Sequence, residues 1–215
     1  MLGDDLTSVD EETAVENGRS AVDAEELVVL LDETGRVVGT ADKHRVHHRS
    51  TPLHLAFSCY LFDDSGALLT TRRALGKKTW PGEWTNTCCG HPAPGEQLTE
   101  SVRRRLAHEL GLADVAELTL VLPGFRYHAT MDDGTVENEL CPVFTARSGA
   151  LPGPHPDEVD DLEWVPWPDF VVSVLDADRD IAPWCRQQVR ELAWLGPDPL
   201  AWPAADPAEL PPAAR

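Results

Sequence analysis

Positive charge is scarce in this 215-residue chain: 18 Lys plus Arg stand against 37 Asp plus Glu, a formal net charge of −19. That deficit argues against a general nucleic-acid or anionic-membrane binder, whose surface has to neutralise phosphates. Long apolar runs are missing too. The longest is five residues, Leu27 to Leu31, far below the ~20 that a membrane span needs. Met1–Asp10 carries no basic residue, so no secretory signal is expected. Cysteine is too sparse for a disulfide scaffold: there are five, an odd number, in a chain long enough to bury its own core. A reducing cytoplasm is the expected compartment.

The charge is unevenly spread. Residues 1–26 hold nine acidic side chains and one Arg, a net of −8, with no helical or strand period. They read as an acidic, disordered N-terminal tail. Residues 197–215 are proline-rich with a net of −2 and read as a second tail laid on the surface. With −8 and −2 set aside, −9 of the total belongs to residues 27–196, the expected single domain.

Within it, hairpin and helix patterns alternate. Leu27–Asp32 and Arg36–Gly39 read as strands around a Glu33-Thr34-Gly35 turn. Leu53–Phe62 reads as one strand, with Leu53, Leu55, Phe57, Cys59 and Leu61 on one face and His54, Ala56 and Ser58 on the other. Ala67–Ala74 pairs back on it. Phe125–Met131 and Thr135–Thr145 flank the hairpin signal Asp132-Asp133-Gly134. Leu98, Val102, Leu106 and Leu110 recur at i+4 and predict a helix, with Gly111 at its C′ position. Further helices are expected near Pro168–Ala177 and Pro183–Leu195. The fold class is α+β: an α/β/α layered domain with a mixed sheet and flanking β-hairpins.

Chemistry concentrates in three places. Trp80–His91 brackets Gly90 with Cys89 and His91, a pair suited to metal ligation or to nucleophile-and-base work; a tryptophan-rich buried loop is the plain alternative. Glu137 and Glu139, two apart on a strand, project from one face. Cys141 and Val143 continue that face as apolar residues, and two carboxylates on a partly buried face need a cation or a proton. His47 and His54 form a third, weaker pair. Three His and two Glu supply N and O donors suited to Mn²⁺ or Mg²⁺, with Zn²⁺ as another candidate. A structural zinc on Cys88, Cys89, His91 and another Cys lacks the Cys-x-x-Cys spacing of such sites.

The frame Gly90, Glu96, Arg104, Leu106, Glu109, Gly111 resembles the Nudix box. Arg105 and His108 stand where Nudix hydrolases carry glutamates that hold Mg²⁺ and activate water. Diphosphate hydrolysis is thereby disfavoured. His54–Ser58, Thr71–Leu75, Lys77-Lys78, Trp80–Gly82, Thr85–His91, Phe125–Tyr127 and Glu137–Phe144 together resemble the type 1 isopentenyl-diphosphate isomerase family. The resemblance spans about residues 27–195, with Cys89-Gly90-His91 and Glu137-Asn138-Glu139 as its most specific segments.

The resemblance implies a divalent metal on His47, His54, His91, Glu137 and Glu139, with His48 competing for the first position. It implies Cys89 and Glu139 as the catalytic pair, assisted by Tyr127, with Glu139 as acid and Cys89 as thiolate base, roles that exchange in the back reaction. A second ion, Mg²⁺ carried by the substrate diphosphate, would use Glu109 and the Cys89 carbonyl. Lys43, Arg73, Lys77 and Arg105 would hold the diphosphate, and Trp184 would cover the hydrocarbon end. The implied partner is a small prenyl diphosphate, with no nucleic acid or membrane, and the implied state is a monomer. A Nudix diphosphohydrolase and a non-catalytic diphosphate-binding module are the alternatives. Hairpin register provides a separate test. A three-residue loop at Asp132–Gly134 places Tyr127 opposite Glu139, whereas a two-residue loop puts them on opposite faces. The first is expected.

Overall fold

A computed structural model of the chain describes residues 26–176 and 178–215; the N-terminal tail expected over 1–26 lies outside them but for Glu26. Two sheets share the described residues. The first runs β2 (Val37–Asp42), β1 (Leu27–Leu31), β3 (His54–Leu55), β10 (Val136–Leu140) and β9 (Arg126–Thr130), in that spatial order. The second runs β12 (Val159–Pro166), β5 (Ala67–Arg73), β4 (Phe57–Phe62), β11 (Val143–Arg147) and β8 (Ala116–Leu122). Two short strands complete it: β6 (Trp84–Thr85) pairs with β5, and β7 (Cys88–Gly90) pairs with β4.

The second sheet is the middle of a three-layer sandwich. One face packs Phe57, Cys59, Leu61 and Leu69 against Leu98, Val102, Leu106 and Leu110 of α2 (Leu98–Leu110). The other packs Tyr60, Phe62 and Leu68 against Trp167, Phe170 and Val174 of α3 (Trp167–Leu175) and Val189 and Leu192 of α4 (Pro183–Leu192). Both faces of β4 are therefore buried, and its alternation sorts residues between two cores rather than between core and solvent. α2 ends as its sequence predicts: Gly111 has φ 66° and its N–H reaches the Ala107 carbonyl at 3.0 Å. Residues 197–215, expected as a tail, lie along the domain and bury Trp202 against Phe62 and Trp167.

One correction to the expected strands matters for the site. Leu53–Phe62 is not a single strand, nor is Thr135–Thr145. Each leaves the first sheet and enters the second, one at Ala56 and the other at Pro142. The two segments run parallel and cross together, Glu139 beside His54 and Val143 beside Ser58. Ala56 N donates to Leu140 O at 3.0 Å and Ser58 N to Pro142 O at 3.1 Å across the crossing. A proline lacks the N–H a central strand needs, which suits it to that step. Beside this crossing, β10 and β7 line a cavity.

Candidate active site

Backbone register brings the key side chains into one row. The 132–134 loop has three residues, with Met131 N donating to Thr135 O at 2.8 Å. Glu139 consequently sits opposite Tyr127 on one side and beside His54 on the other. Residues aligned across neighbouring strands share a face, so Tyr127, Glu139 and His54 project together.

Four of the expected metal ligands converge. Ligand atoms of His47, His54, His91 and Glu139 all lie within 4.8 Å of one another. Glu139 Oε1 is 3.0 Å from His91 Nε2, 3.3 Å from His54 Nε2 and 3.9 Å from His47 Nε2. His47 follows the short α1 (Lys43–Val46), capped by the Asp42 carboxylate. Its neighbour His48 is exposed, accepts from Ser50 N at 3.0 Å and lies outside the cluster. Glu137, the fifth expected ligand, is not part of the tight group; its Oε2 and that of Glu139 each lie 2.9 Å from the Tyr127 hydroxyl.

The donor set fits a divalent ion. The Nε2 atoms of His47 and His54 are buried without a hydrogen-bond partner, a costly state for a polar group unless a ligand engages it. His54 Nδ1 lies 2.9 Å from Pro52 O, which places its proton on Nδ1 and the lone pair on Nε2. Burial holds His91 down to about 4 and thus neutral. Burial works against Glu139 as an anion, yet the three imidazoles grouped around it hold its carboxyl well below the usual range. Burial, then the Glu139 charge, raises Glu137. Imidazole and carboxylate donors without thiolate suit Mn²⁺, Mg²⁺ or Zn²⁺. Cys88 packs in the α2 core instead, and the structural-zinc alternative finds no support in the described residues.

Cys89 faces the same cavity from β7, paired with Ser58. Glycine follows it because a Cβ at Gly90 would stand 2.9 Å from Arg105 Cγ and 3.0 Å from Phe57 Cζ. Its Sγ lies 3.3 Å from both Ser58 Oγ and Asn86 Oδ1. Asn86 cannot turn: its amide donates to the carbonyls of Cys59 and Cys88, and its oxygen also accepts from Trp184 Nε1 at 3.1 Å. One buried carboxamide thus holds both the thiol and the indole. Burial pushes the Cys89 thiol up to about 12, so it rests protonated.

The third wall is charged. Lys43, Arg73, Lys77, Arg105 and Glu109 line the same cavity of about 840 Å³ with Trp184. Trp184 is buried, packs 5.8 Å from Tyr127, and has the Arg73 guanidinium 5.7 Å from its ring centroid. Arg73 also donates to the carbonyls of Thr79 and Trp80. Trp80 holds a positive φ of 50°, a strained backbone of the kind found at binding sites. Arg105 Nε reaches Glu109 Oε1 at 2.9 Å, both side chains buried. Sequence reasoning missed Glu158, which lines this wall from an irregular segment without any motif, and gave Asn86 no role of its own.

Among the described residues no helix is long and apolar enough to cross a membrane, and all five cysteines are free. A family model described as NUDIX domain matches residues 52–188. A protein named isopentenyl-diphosphate Delta-isomerase from Saccharopolyspora erythraea is 58% identical over 189 residues, covering 88% of this chain and 97% of the relative. One of the same name from Mycolicibacterium vanbaalenii is 56% identical over 167 residues, covering 78% and 91%. Among solved structures, DR0079 from Deinococcus radiodurans superposes with a TM-score of 0.60 at 20% identity, covering 77% of this chain and 98% of that one. That likeness concerns the fold alone.

Proposed function

The chain belongs to the isopentenyl-diphosphate Delta-isomerase family of NUDIX-domain proteins, and from that premise we propose how its cavity performs the reaction. The enzyme interconverts isopentenyl and dimethylallyl diphosphate, adding a proton at carbon 4 and removing one from carbon 2 in the forward direction. An alkene is a very weak base, so the step needs a strong acid in a site that excludes water.

The observation that carries the assignment is the meeting of Cys89 and the Tyr127–Glu139 pair in one cavity. Cys89 and Glu139 are the two proton-transfer groups, one donating as the other accepts, with roles exchanged on reversal. Tyr127 holds Glu139 Oε2 through its hydroxyl and keeps the carboxylate turned toward the substrate. Asn86 keeps the thiol and Trp184 at fixed relative positions. The face of Trp184 steadies the tertiary cation, worth about 2 kcal/mol when desolvated. His47, His54, His91, Glu137 and Glu139 would hold a divalent ion, which when bound would withdraw electron density from the Glu139 carboxyl and raise its acidity. Lys43, Arg73, Lys77 and Arg105 bind the diphosphate, and Glu109 with the Cys89 carbonyl receives its Mg²⁺. The reading extends to an acidic extension over 1–26, a catalytic domain over 27–196, a C-terminal segment over 197–215, a monomer, and a reducing cytoplasm in keeping with the five free thiols.

The test is incubation with isopentenyl diphosphate, Mg²⁺ and Mn²⁺, followed by assay for dimethylallyl diphosphate and for released phosphate. Dimethylallyl diphosphate alone is expected; released phosphate would favour the hydrolase alternative. Full turnover by Cys89→Ala or Glu139→Gln would refute the residue roles.

A further inference from the structure

Glu158 lines the cavity but belongs neither to the histidine cluster nor to the proton-transfer pair. Its position is built rather than incidental. His155 N donates to Glu109 O at 2.8 Å, Glu158 N to His155 O at 3.0 Å, and Ala74 N to Glu158 O at 3.0 Å. The residue is thereby tied to the last turn of α2 on one side and to the end of β5 on the other. Its side chain is 15% exposed. Oε2 meets Lys77 Nζ and lies 3.1 Å from Arg105 Nη2, while Oε1 is 3.5 Å from His108 Nε2.

The carboxylate thus occupies the cations assigned to the diphosphate. The pattern repeats around the wall: Glu26 is 2.5 Å from Lys43, and Glu109 meets Arg105. Lys43, Lys77 and Arg105 are matched one for one by Glu26, Glu109 and Glu158. A wall meant for a free polyanion would keep its cations uncompensated. Of the four cations assigned to the diphosphate, three are thus already matched by carboxylates, while Arg73 is turned to backbone carbonyls.

Resting on the diphosphate reading above, we propose that Glu158 is a specificity-determining residue: it makes the site select a diphosphate that carries a divalent cation over the free anion. Free diphosphate competes with Glu158 for Lys77 and Arg105 and meets its charge at close range. A diphosphate arriving with Mg²⁺ brings the positive charge that offsets the Glu158 carboxylate, so the same residue stops opposing it.

Binding of inorganic pyrophosphate to the metal-loaded protein, by titration calorimetry with and without excess Mg²⁺, tests this without turnover. The unaltered protein is expected to bind about tenfold or more tightly with Mg²⁺. Glu158→Gln and Glu158→Ala should tighten the Mg²⁺-free binding about fivefold or more, shrinking the Mg²⁺ dependence. Mg²⁺-free affinity that is unchanged or weaker in a folded variant would overturn the proposal, leaving Glu158 as a clamp that orders Lys77 and Arg105. Mg²⁺-independent affinity in the unaltered protein would overturn it regardless of how the variants fold. No pyrophosphate binding at any Mg²⁺ concentration would remove the diphosphate reading itself.

Discussion

The two walls of one cavity follow opposite electrostatic plans. On the floor made by β3, β9 and β10, imidazole nitrogens gather around a single carboxylate oxygen. On the wall made by α2 and the segments at Lys77 and Glu158, Lys77 and Arg105 already meet carboxylates. The first plan suits a cation that stays, because buried acceptors without partners are expensive. The second suits a charged guest that brings its own counter-charge, because breaking a buried pair without compensation is costly. Cys89 and Glu139 lie where the two plans meet. Removing either should cost about 10²–10⁴-fold in kcat, the usual contribution of a positioned acid or base. The check is dimethylallyl diphosphate formation by Cys89→Ala and Glu139→Gln, with melting temperature read alongside. A loss of activity without a loss of fold sharpens the division between chemistry and scaffold.

If the floor holds a resident ion, stripping it should destabilise the fold, whereas altering the opposite wall should leave that response intact. An ion present at 100 times its Kd stabilises by about 2.7 kcal/mol. His54→Ala should abolish the drop in melting temperature that a chelator causes, and Arg105→Met should preserve it. An equal chelator response in all three proteins would erase the contrast.

Acid should separate the walls again. Burial lowers His91 from 6.5 to about 4, so between these values the unfolded chain binds a proton that the folded one refuses. Stability from this group is complete above pH 6.5 and is lost as pH falls toward 4. Glu139, held below its usual range, adds loss in the same direction. His54, raised despite its burial by the Glu139 carboxylate, acts with opposite sign and loses its contribution as pH rises. In metal-free protein the melting temperature should therefore fall from pH 6.5 to 4, and His91→Gln should flatten that fall. An identical slope in the variant would place the acid sensitivity elsewhere.

How much of this was legible in the sequence also differs between the walls. The floor could be read from short-range signals: the Asp132-Asp133-Gly134 loop sets the register that aligns Tyr127 with Glu139, and a period of two places Glu137 and Glu139 together. α2 was legible from its i+4 leucines and Gly111. What escaped depends on distant contacts. No local feature of Leu53–Phe62 announces that it changes sheets at Ala56, although Pro142 in the partner segment was a usable signal. β12 reads Val-Asp-Asp-Leu-Glu-Trp-Val-Pro, too polar for a strand until β5 pairs with it. Glu158 precedes it with no motif and gains its meaning only from Lys77 and Arg105. Asn86 lay inside the Trp80–His91 run, but its hold on Trp184 spans 98 residues.

The smallest expected effect comes from two neighbours on α2. Arg104 and Arg105 each meet a glutamate, yet Arg104 pairs with Glu96 at 2.7 Å with 43% of its side chain exposed, while Arg105 is 8% exposed in the cavity. Arg104 also reaches the His91 carbonyl at 3.3 Å, so its removal tests whether a helix charge near the floor matters merely by proximity. An exposed pair gains little because water screens it and two long side chains must be immobilised. Arg104→Ala should change stability by about 0–1 kcal/mol and leave KM for isopentenyl diphosphate unaltered. Arg105→Met, removing a buried cation that faces the diphosphate, should raise KM about tenfold, the cost of losing one charge-assisted hydrogen bond. Steady-state kinetics on the two variants decides it. A KM increase in Arg104→Ala as large as that in Arg105→Met would mean that general positive potential, rather than contact from the inner wall, holds the substrate.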